Sequence, residues 1–264
     1  MIGVAGCGRM GFPMAQALRA AGFETIGFDI KPADAFGNFA PLMRTAPEFT
    51  AQTETLISVV RDAAQTDDVL FGAQGFVNGP NLKRVIISST LSPKYVQDLR
   101  ARVPAGLTLI DAPMSGAAIA AQEARLSFML GGEAQDIQDA MPIFQAMGHS
   151  ITHCGAFGAG MVVKVLNNLV AASSVAATRT VLSWADELGV AEDTLLTVLH
   201  ASSGQTWFGS GFDDIEFARD GLAEDNSIGI LAKDVEAAMD GAPNQADLAL
   251  PKALLAAIKG LTPR

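Results

Sequence analysis

Short apolar runs alternate with segments of helical period over the first half of the chain. Ile2–Ala5, Thr25–Phe28, Leu56–Val60, Val85–Ser88, Leu107–Ile110 and Leu126–Leu130 are bounded by polar residues or glycine. Runs so short and so apolar predict buried strands. Phe12–Ala21, closed by Gly22, predicts a helix with a glycine stop. Pro93–Val103, opened by Ser92 and a first-turn proline, predicts another. Strand–helix alternation of this kind builds a mainly parallel, doubly wound α/β sheet. After about residue 157 the strand pattern stops. Gly160–Leu188 reads as one long proline-free helix, apolar on most faces, followed by helical stretches at Ala191–Ala201, Ile228–Asp240 and Pro251–Gly260. Residues 1–157 are therefore expected to form the α/β domain and residues 158–264 an all-helical one.

Composition narrows the function more than the fold. The 264 residues carry a net charge of −10, which supplies no basic field for phosphate backbones and sets nucleic-acid binding aside. No run of about 20 uninterrupted apolar residues predicts a membrane span. The opening Met1–Gly6 is too short and glycine-broken to read as a signal peptide. Two cysteines far apart, Cys7 and Cys154, suggest no disulfide framework and a reducing, cytoplasmic setting. Apolar residues make up 49% of the chain, and the long apolar helix favours a homodimer or homotetramer.

The most informative segment follows the first strand. Gly6-Cys7-Gly8-Arg9-Met10-Gly11 has the spacing G-x-G-x-x-G between a strand-like and a helix-like run. A dinucleotide needs this arrangement for physical reasons. The first glycine permits a tight turn, the second admits the pyrophosphate to bare backbone, and the third lets helix and strand pack closely. The helix N-terminus attracts the anion. Asp29, at the end of the next strand, suits a carboxylate that accepts from the adenosine ribose hydroxyls; the competing reading is a turn aspartate ahead of Lys31-Pro32. A carboxylate there repels a 2′-phosphate, so NAD is expected ahead of NADP, with Lys31 as the one nearby cation that would accommodate NADP.

Four further segments, in order, give the chain a resemblance. Gly6–Ala15 continues Gly11-Phe12-Pro13-Met14-Ala15; Ser89-Thr90-Leu91-Ser92-Pro93, Asp111-Ala112-Pro113-Met114-Ser115-Gly116, Gly158–Asn168 and Lys233-Asp234 follow it. Together they resemble the β-hydroxyacid dehydrogenases, the family that includes 3-hydroxyisobutyrate dehydrogenase, over nearly the whole chain. The resemblance implies a Rossmann domain followed by an all-α domain, and hydride transfer between NAD(P) and a small carboxylate-bearing β-hydroxy acid or its semialdehyde. It implies cofactor contacts from Gly6, Gly8, Arg9, Met10, Gly11, Asp29, Thr90 and Lys233. It places the substrate at Ser115, Gly116, Ala117 and Asn168, and the general acid/base at Lys164. Members that prefer NADP often carry arginine where this chain has Ile30. The family's substrate loop is richer in glycine than Ser115-Gly116-Ala117, with Ala120 and Ala124 beyond. Each alanine adds a methyl group and is expected to bar backbone angles open to glycine.

Read from the residues alone, Lys164 and Asn168 are four apart and share one face of the long helix, amid Val162, Val163, Val165, Leu166, Leu169 and Val170. A lysine there either snorkels to solvent or sits in a polar cavity. A cationic donor suits carbonyl reduction, because hydride addition develops negative charge on oxygen that needs stabilising and a proton. His149, His153 and His200 lack a ligand spacing, so no metal is expected. Trp207 is open to two readings, a pocket lining or a core aromatic. Two rivals remain: an imine-reductase-like enzyme, whose relatives generally lack a lysine at position 164, and a dinucleotide-binding sensor without turnover.

Overall fold

The computed structural model describes all 264 residues. Five strands, β1 (Ile2–Ala5), β2 (Thr25–Phe28), β3 (Thr55–Ser58), β4 (Arg84–Ile87) and β5 (Thr108–Asp111), pair in parallel in the order β2-β1-β3-β4-β5. Three more strands extend the sheet past β5: β6 (Met114–Ser115), β7 (Leu126–Gly131) and β8 (Gly148–Gly155). β7 runs antiparallel to β5 and β6 and parallel to β8, so the sheet is mixed at this edge.

Alternate residues of the central strands supply two cores. Val4, Ile57, Ile86 and Ile110 face one side, where α1 (Gly11–Ala20), α5 (Ala117–Gln122) and α6 (Ala134–Gln145) cover them. Ala5, Leu56, Val85, Ile87 and Leu109 face the other, against α2 (Ala46–Gln52), α3 (Ala63–Leu70) and α4 (Pro93–Arg102). A parallel sheet covered on both faces explains why these strands read as unbroken apolar runs rather than as alternation. The sequence pattern missed α2, α3, α6 and the 3₁₀ stretch Ala33–Leu42, which breaks at Gly37. Local caps start two of them: Thr45 and Glu48 form a capping box on α2, and Asp62 accepts from the Gln65 amide on α3.

The chain divides into two compact units, Met1–Lys164 and Val165–Arg264, and the division falls inside α7 (Ala159–Glu187). The second unit is helical throughout, with α8 (Glu192–Ala201), α9 (Trp207–Ser210), α10 (Ser227–Asp240) and α11 (Ala249–Lys259). Ala172, Val175, Leu182, Phe208, Ile228, Val235 and Ile258 form its core. The buried Arg179 guanidinium donates to the carbonyl oxygens of Ala218, Asp220 and Thr262 and so closes the loops around that core. Length and composition would let the 29-residue α7 cross a membrane. Its buried positions, Lys164, Asn168, Thr178 and Arg179 among them, mark it instead as the core helix of a folded protein.

One expectation is overturned. Ala117 and Ala124 adopt φ of 54° and 52°, the left-handed region the added methyl groups should bar. The reason lies in α5, six residues long, which the chain must enter and leave within a tight loop. The Ala120 amide bonds back to Gly116 O, and the Arg125 amide returns to Ala120 O at 2.7 Å. Left-handed geometry costs a non-glycine residue about 1 kcal/mol, which this packing offsets. Replacing Ala124 with glycine should therefore raise the melting temperature by about 2 °C. Calorimetry checks this, and an unchanged or lowered midpoint would show that no strain resides there.

Candidate functional site

The parallel pairings end in one rank. Ala5 stands opposite Phe28 and Ser58, Ser58 opposite Ile87, and Ile87 opposite Asp111. The segments that follow these strands consequently emerge side by side along the carboxyl edge of the sheet: the Gly6–Gly11 loop, Asp29, the Ser88–Leu91 turn and the Ala112–Gly116 loop. The strand order reverses at β1, which is where doubly wound sheets bind their ligands. The Ser89 hydroxyl accepts from the Val60 amide at 2.9 Å and ties the turn before Thr90 to the end of β3.

Each glycine of the first loop does a different thing. Gly6 has φ of 90°, and a Cβ on it would strike the Val59 carbonyl. A Cβ on Gly11 would strike the Gly6 carbonyl oxygen, so the third glycine holds α1 against the turn. A Cβ on Gly8 would meet nothing within 4 Å. Sterics inside the chain thus demand Gly6 and Gly11, while Gly8 keeps open a space outside it. No side chain caps α1, whose first residues Met10 and Gly11 are partly exposed and buried respectively; Arg9 is exposed. Bare backbone over open space at an uncapped helix start fits a pyrophosphate. The Cys7 thiol is buried between these glycines and pushed up to about 12, first by burial and then by the charge of Asp29, so it stays neutral.

Asp29 follows β2 directly, and its Oδ1 accepts from the Lys31 amide at 3.0 Å, the turn geometry that was the competing reading. One carboxylate oxygen serves that turn. Ile30 beside it is 88% exposed.

Helix α7 is inverted around Lys164. Lys164 is 5% exposed and Asn168 7%, on the same buried face as Met161 and Val165, whereas Val163, Leu166 and Val170 face solvent. The lysine does not snorkel. In the first unit, the Leu91 amide donates to Met161 Sδ at 3.3 Å, which joins the turn after Thr90 to the first turn of α7. The buried Asp111 carboxylate accepts from the Gly158 and Met161 amides, both at 2.6 Å, at the same helix start. In the second unit, Asn168 Nδ2 donates to Asp234 Oδ2 at 2.6 Å, and Asn167 donates to Asn168 Oδ1. Lys233 Nζ lies 3.5 Å from Asp234 Oδ1 on α10, with the lysine side chain 37% exposed. Ser115 closes β6, paired with Ser127, and Gly116 and Ala117 are exposed at the start of α5.

Sequence reasoning assigned no role to Asp111 or Asp234. The signal was present in both: a carboxylate set in an apolar run, Leu109-Ile110-Asp111-Ala112, and one helical turn from Leu231 and Ala238. Trp207 is neither deep core nor enclosed lining: it is 57% exposed on α9 and packs against Phe208 and Phe217. His149 and His153 bond to backbone carbonyls, His149 to Arg125 O and His153 to Gly132 O and Gly155 O.

Residues 1–155 match the NAD binding domain of 6-phosphogluconate dehydrogenase, and residues 158–261 match the NAD-binding of NADP-dependent 3-hydroxyisobutyrate dehydrogenase. The chain belongs to the β-hydroxyacid dehydrogenase family. Within that family, it is 33% identical over 210 residues to the probable 3-hydroxyisobutyrate dehydrogenase of Mycobacterium bovis, covering 76% of this chain and 69% of the relative. The solved 3-hydroxyisobutyrate dehydrogenase of Salmonella typhimurium superimposes with a TM-score of 0.82 at 26% identity, over 97% of this chain and 91% of that one. The Mycobacterium tuberculosis 3-hydroxyisobutyrate dehydrogenase, solved with L-serine, gives 0.79 at 28% identity, over 97% and 91%. This β-hydroxyacid dehydrogenase is an oxidoreductase that uses NAD(P).

The glycine geometry separates two substitutions that look alike. Gly8→Ala should leave the melting temperature within about 1 °C, because its methyl group meets no protein atom, yet weaken NADH binding by about tenfold or more. Gly11→Ala should lower the melting temperature itself. Fluorescence titration with NADH beside thermal melts checks both, and unchanged affinity in Gly8→Ala would place the pyrophosphate elsewhere.

Proposed function

We propose that this dehydrogenase interconverts a short 3-hydroxy acid, of the 3-hydroxyisobutyrate kind, and its semialdehyde, with Lys164 as the general acid/base and NAD as the preferred cofactor. One observation carries the reading: an ionisable amine is buried on α7 while its apolar neighbours Val163 and Leu166 face solvent. A folding chain avoids that arrangement, since burying an amine costs several kcal/mol unless polar groups receive it. The bound dinucleotide supplies or accepts the hydride. The chain's own residues do the rest. As a carbonyl is reduced, the Lys164 ammonium offsets the charge growing on oxygen and then delivers its proton there; in oxidation the neutral amine takes the hydroxyl proton. Asn168 is oriented by Asp234, because only its NH₂ can face a carboxylate, and it keeps a second N–H to align the substrate. The Ser115 hydroxyl and the Gly116 amide hold the substrate carboxylate through charge-assisted bonds, with Ala117 limiting bulk beside it. Lysine at position 164 disfavours the imine-reductase reading, and a proton donor so placed disfavours a sensor without turnover. A cytoplasmic setting suits a chain whose two cysteines are free thiols.

The exposed apolar stripe of α7 is read as the contact with a second copy of this chain. Val163, Leu166, Val170, Ala177, Trp184 and Leu188 recur at steps compatible with a helix–helix seam. A homodimer or homotetramer would cover them. Sedimentation should give at least twice the mass of 27.5 kDa, and Val170→Glu with Leu188→Glu should release monomers. A wild-type monomer at micromolar concentration would refute the seam.

Cofactor choice follows from Asp29 and the uncharged Ile30. kcat/KM should be at least about tenfold higher with NAD than with NADP, about 1.4 kcal/mol. Asp29→Ser should narrow that gap by removing the carboxylate that repels a 2′-phosphate. Equal rates with both cofactors in the wild type would mean that Lys31 outweighs the aspartate.

Lys164→Met tests the central assignment, because methionine keeps most of the stem's volume. Turnover of 3-hydroxyisobutyrate should fall by about a hundredfold or more, the scale of losing a positioned proton donor. NADH affinity should change less than about twofold, since the Gly6–Gly11 loop is untouched. Near-normal turnover would remove Lys164 from the chemistry.

A further inference from the structure

The carboxylate of Asp111 is fully buried, at 0% exposure, and it takes the place of a helix cap. Gly158, the residue before α7, has no side chain to accept from the first amides of the helix. Asp111 does so across 47 and 50 residues of sequence: Oδ1 accepts from the Gly158 amide and Oδ2 from the Met161 amide. The chain clears space for it. A Cβ on Gly131 would strike Oδ1, and a Cβ on Gly160 would sit 2.9 Å from Oδ2. A negative charge at a helix N-terminus also meets the positive end of the helix dipole.

We propose that Asp111 is the positioning residue for Lys164, holding the rotation of α7 that keeps the amine on the buried face beside the Thr90 turn. This rests on the reading of Lys164 as the acid/base. Gly160 and Lys164 are one turn apart, and each residue of an α-helix rotates by about 100°. A slip by one residue would bring Val163 to where Lys164 stands and break the Leu91–Met161 contact as well. Two bonds to one carboxylate, one to each oxygen, oppose that slip.

The charge state matters, because protonation turns one of the two accepting oxygens into a donor facing an amide and removes the attraction to the dipole. Burial pushes Asp111 up to about 6, against the lowering effect of the amides. The groups that face it are Ile87 of β4, Gly131 of β7, the α7 amides and, on β8, Cys154, whose thiol is raised by burial first and by this charge second. His153 on β8 is engaged with the Gly132 and Gly155 carbonyls, and Lys164 lies one turn along α7.

The test is the pH profile of reduction, with NADH and 2-methyl-3-oxopropanoate, the aldehyde that corresponds to 3-hydroxyisobutyrate. In this direction Lys164 must be protonated, so its own limb lies on the alkaline side. Wild-type kcat/KM should fall about tenfold per pH unit below about 6 as Asp111 protonates. Asp111→Asn should lower kcat at pH 7.5 by about ten- to a hundredfold per NADH-binding site, keep NADH affinity within about twofold, and lose the acid limb. A merely structural cap would lower the melting temperature and the yield of binding sites but leave kcat per site and the limb in place, and that result overturns the proposal. If Asp111→Asn does not fold, the wild-type profile decides: a flat rate from pH 5 to 7 overturns it equally. Wild-type kcat in Asp111→Asn with an inactive Lys164→Met removes the positioning role alone. Full activity in Lys164→Met removes the acid/base reading beneath it.

Discussion

The in-phase ending of four parallel pairings is the constraint on which the molecule's chemistry depends. Parallel strands can be staggered freely as far as their hydrogen bonds are concerned. Here Ala5, Phe28, Ser58, Ile87 and Asp111 end level, so every following segment leaves the sheet along one line. The glycine loop, Asp29, the Thr90 turn and the Ser115 loop span more than a hundred residues of sequence. Their proximity is a property of strand register, and slipping one strand by two residues would move its loop by about 7 Å while keeping each side chain on the same face of the sheet.

Helix α7 shows how a site is paid for in packing terms. Its turns around Lys164 and Asn168 bury these two polar side chains beside Met161 and Val165, and expose Val163, Leu166 and Val170. The second unit compensates within itself: Asn168 is bonded to the buried Asp234, and the rest of α7 contributes Ala172, Val175 and Leu182 to a conventional core. The first unit compensates at the helix start, where Asp111 and Met161 anchor it.

Much of this was legible in the chain before any coordinate. Six of the eight strands were, because burial makes them short apolar runs, and their borders shift by one or two residues; β6, two residues long, and the largely exposed β8 were not. The glycine loop was, because the chain's own sterics demand Gly6 and Gly11 and the spacing between them frames the open position at Gly8. What escaped has a common cause. α2 and α3 are short, and α6 carries Pro142 inside it, a residue that reads as a helix break. Asp111 and Asp234 act on partners 47 and 66 residues away, and local spacing carries no trace of that. The alanines misled because a rule about φ preferences is a statement of cost, and a packed loop can meet a cost of about 1 kcal/mol.

Those two alanines also change how the loop behaves in time. A glycine at either bend would wander over both halves of the backbone map, whereas a residue with a Cβ, once driven into the left-handed well, has little room around it. The loop from Gly116 to Arg125 therefore moves as a stiff strap with fixed corners instead of a flexible flap. A stiff strap surrenders less chain entropy when something docks beneath it, and it yields less to a guest of the wrong shape. Where such a loop covers a ligand, rigidity favours selectivity over the adaptability that glycine would confer.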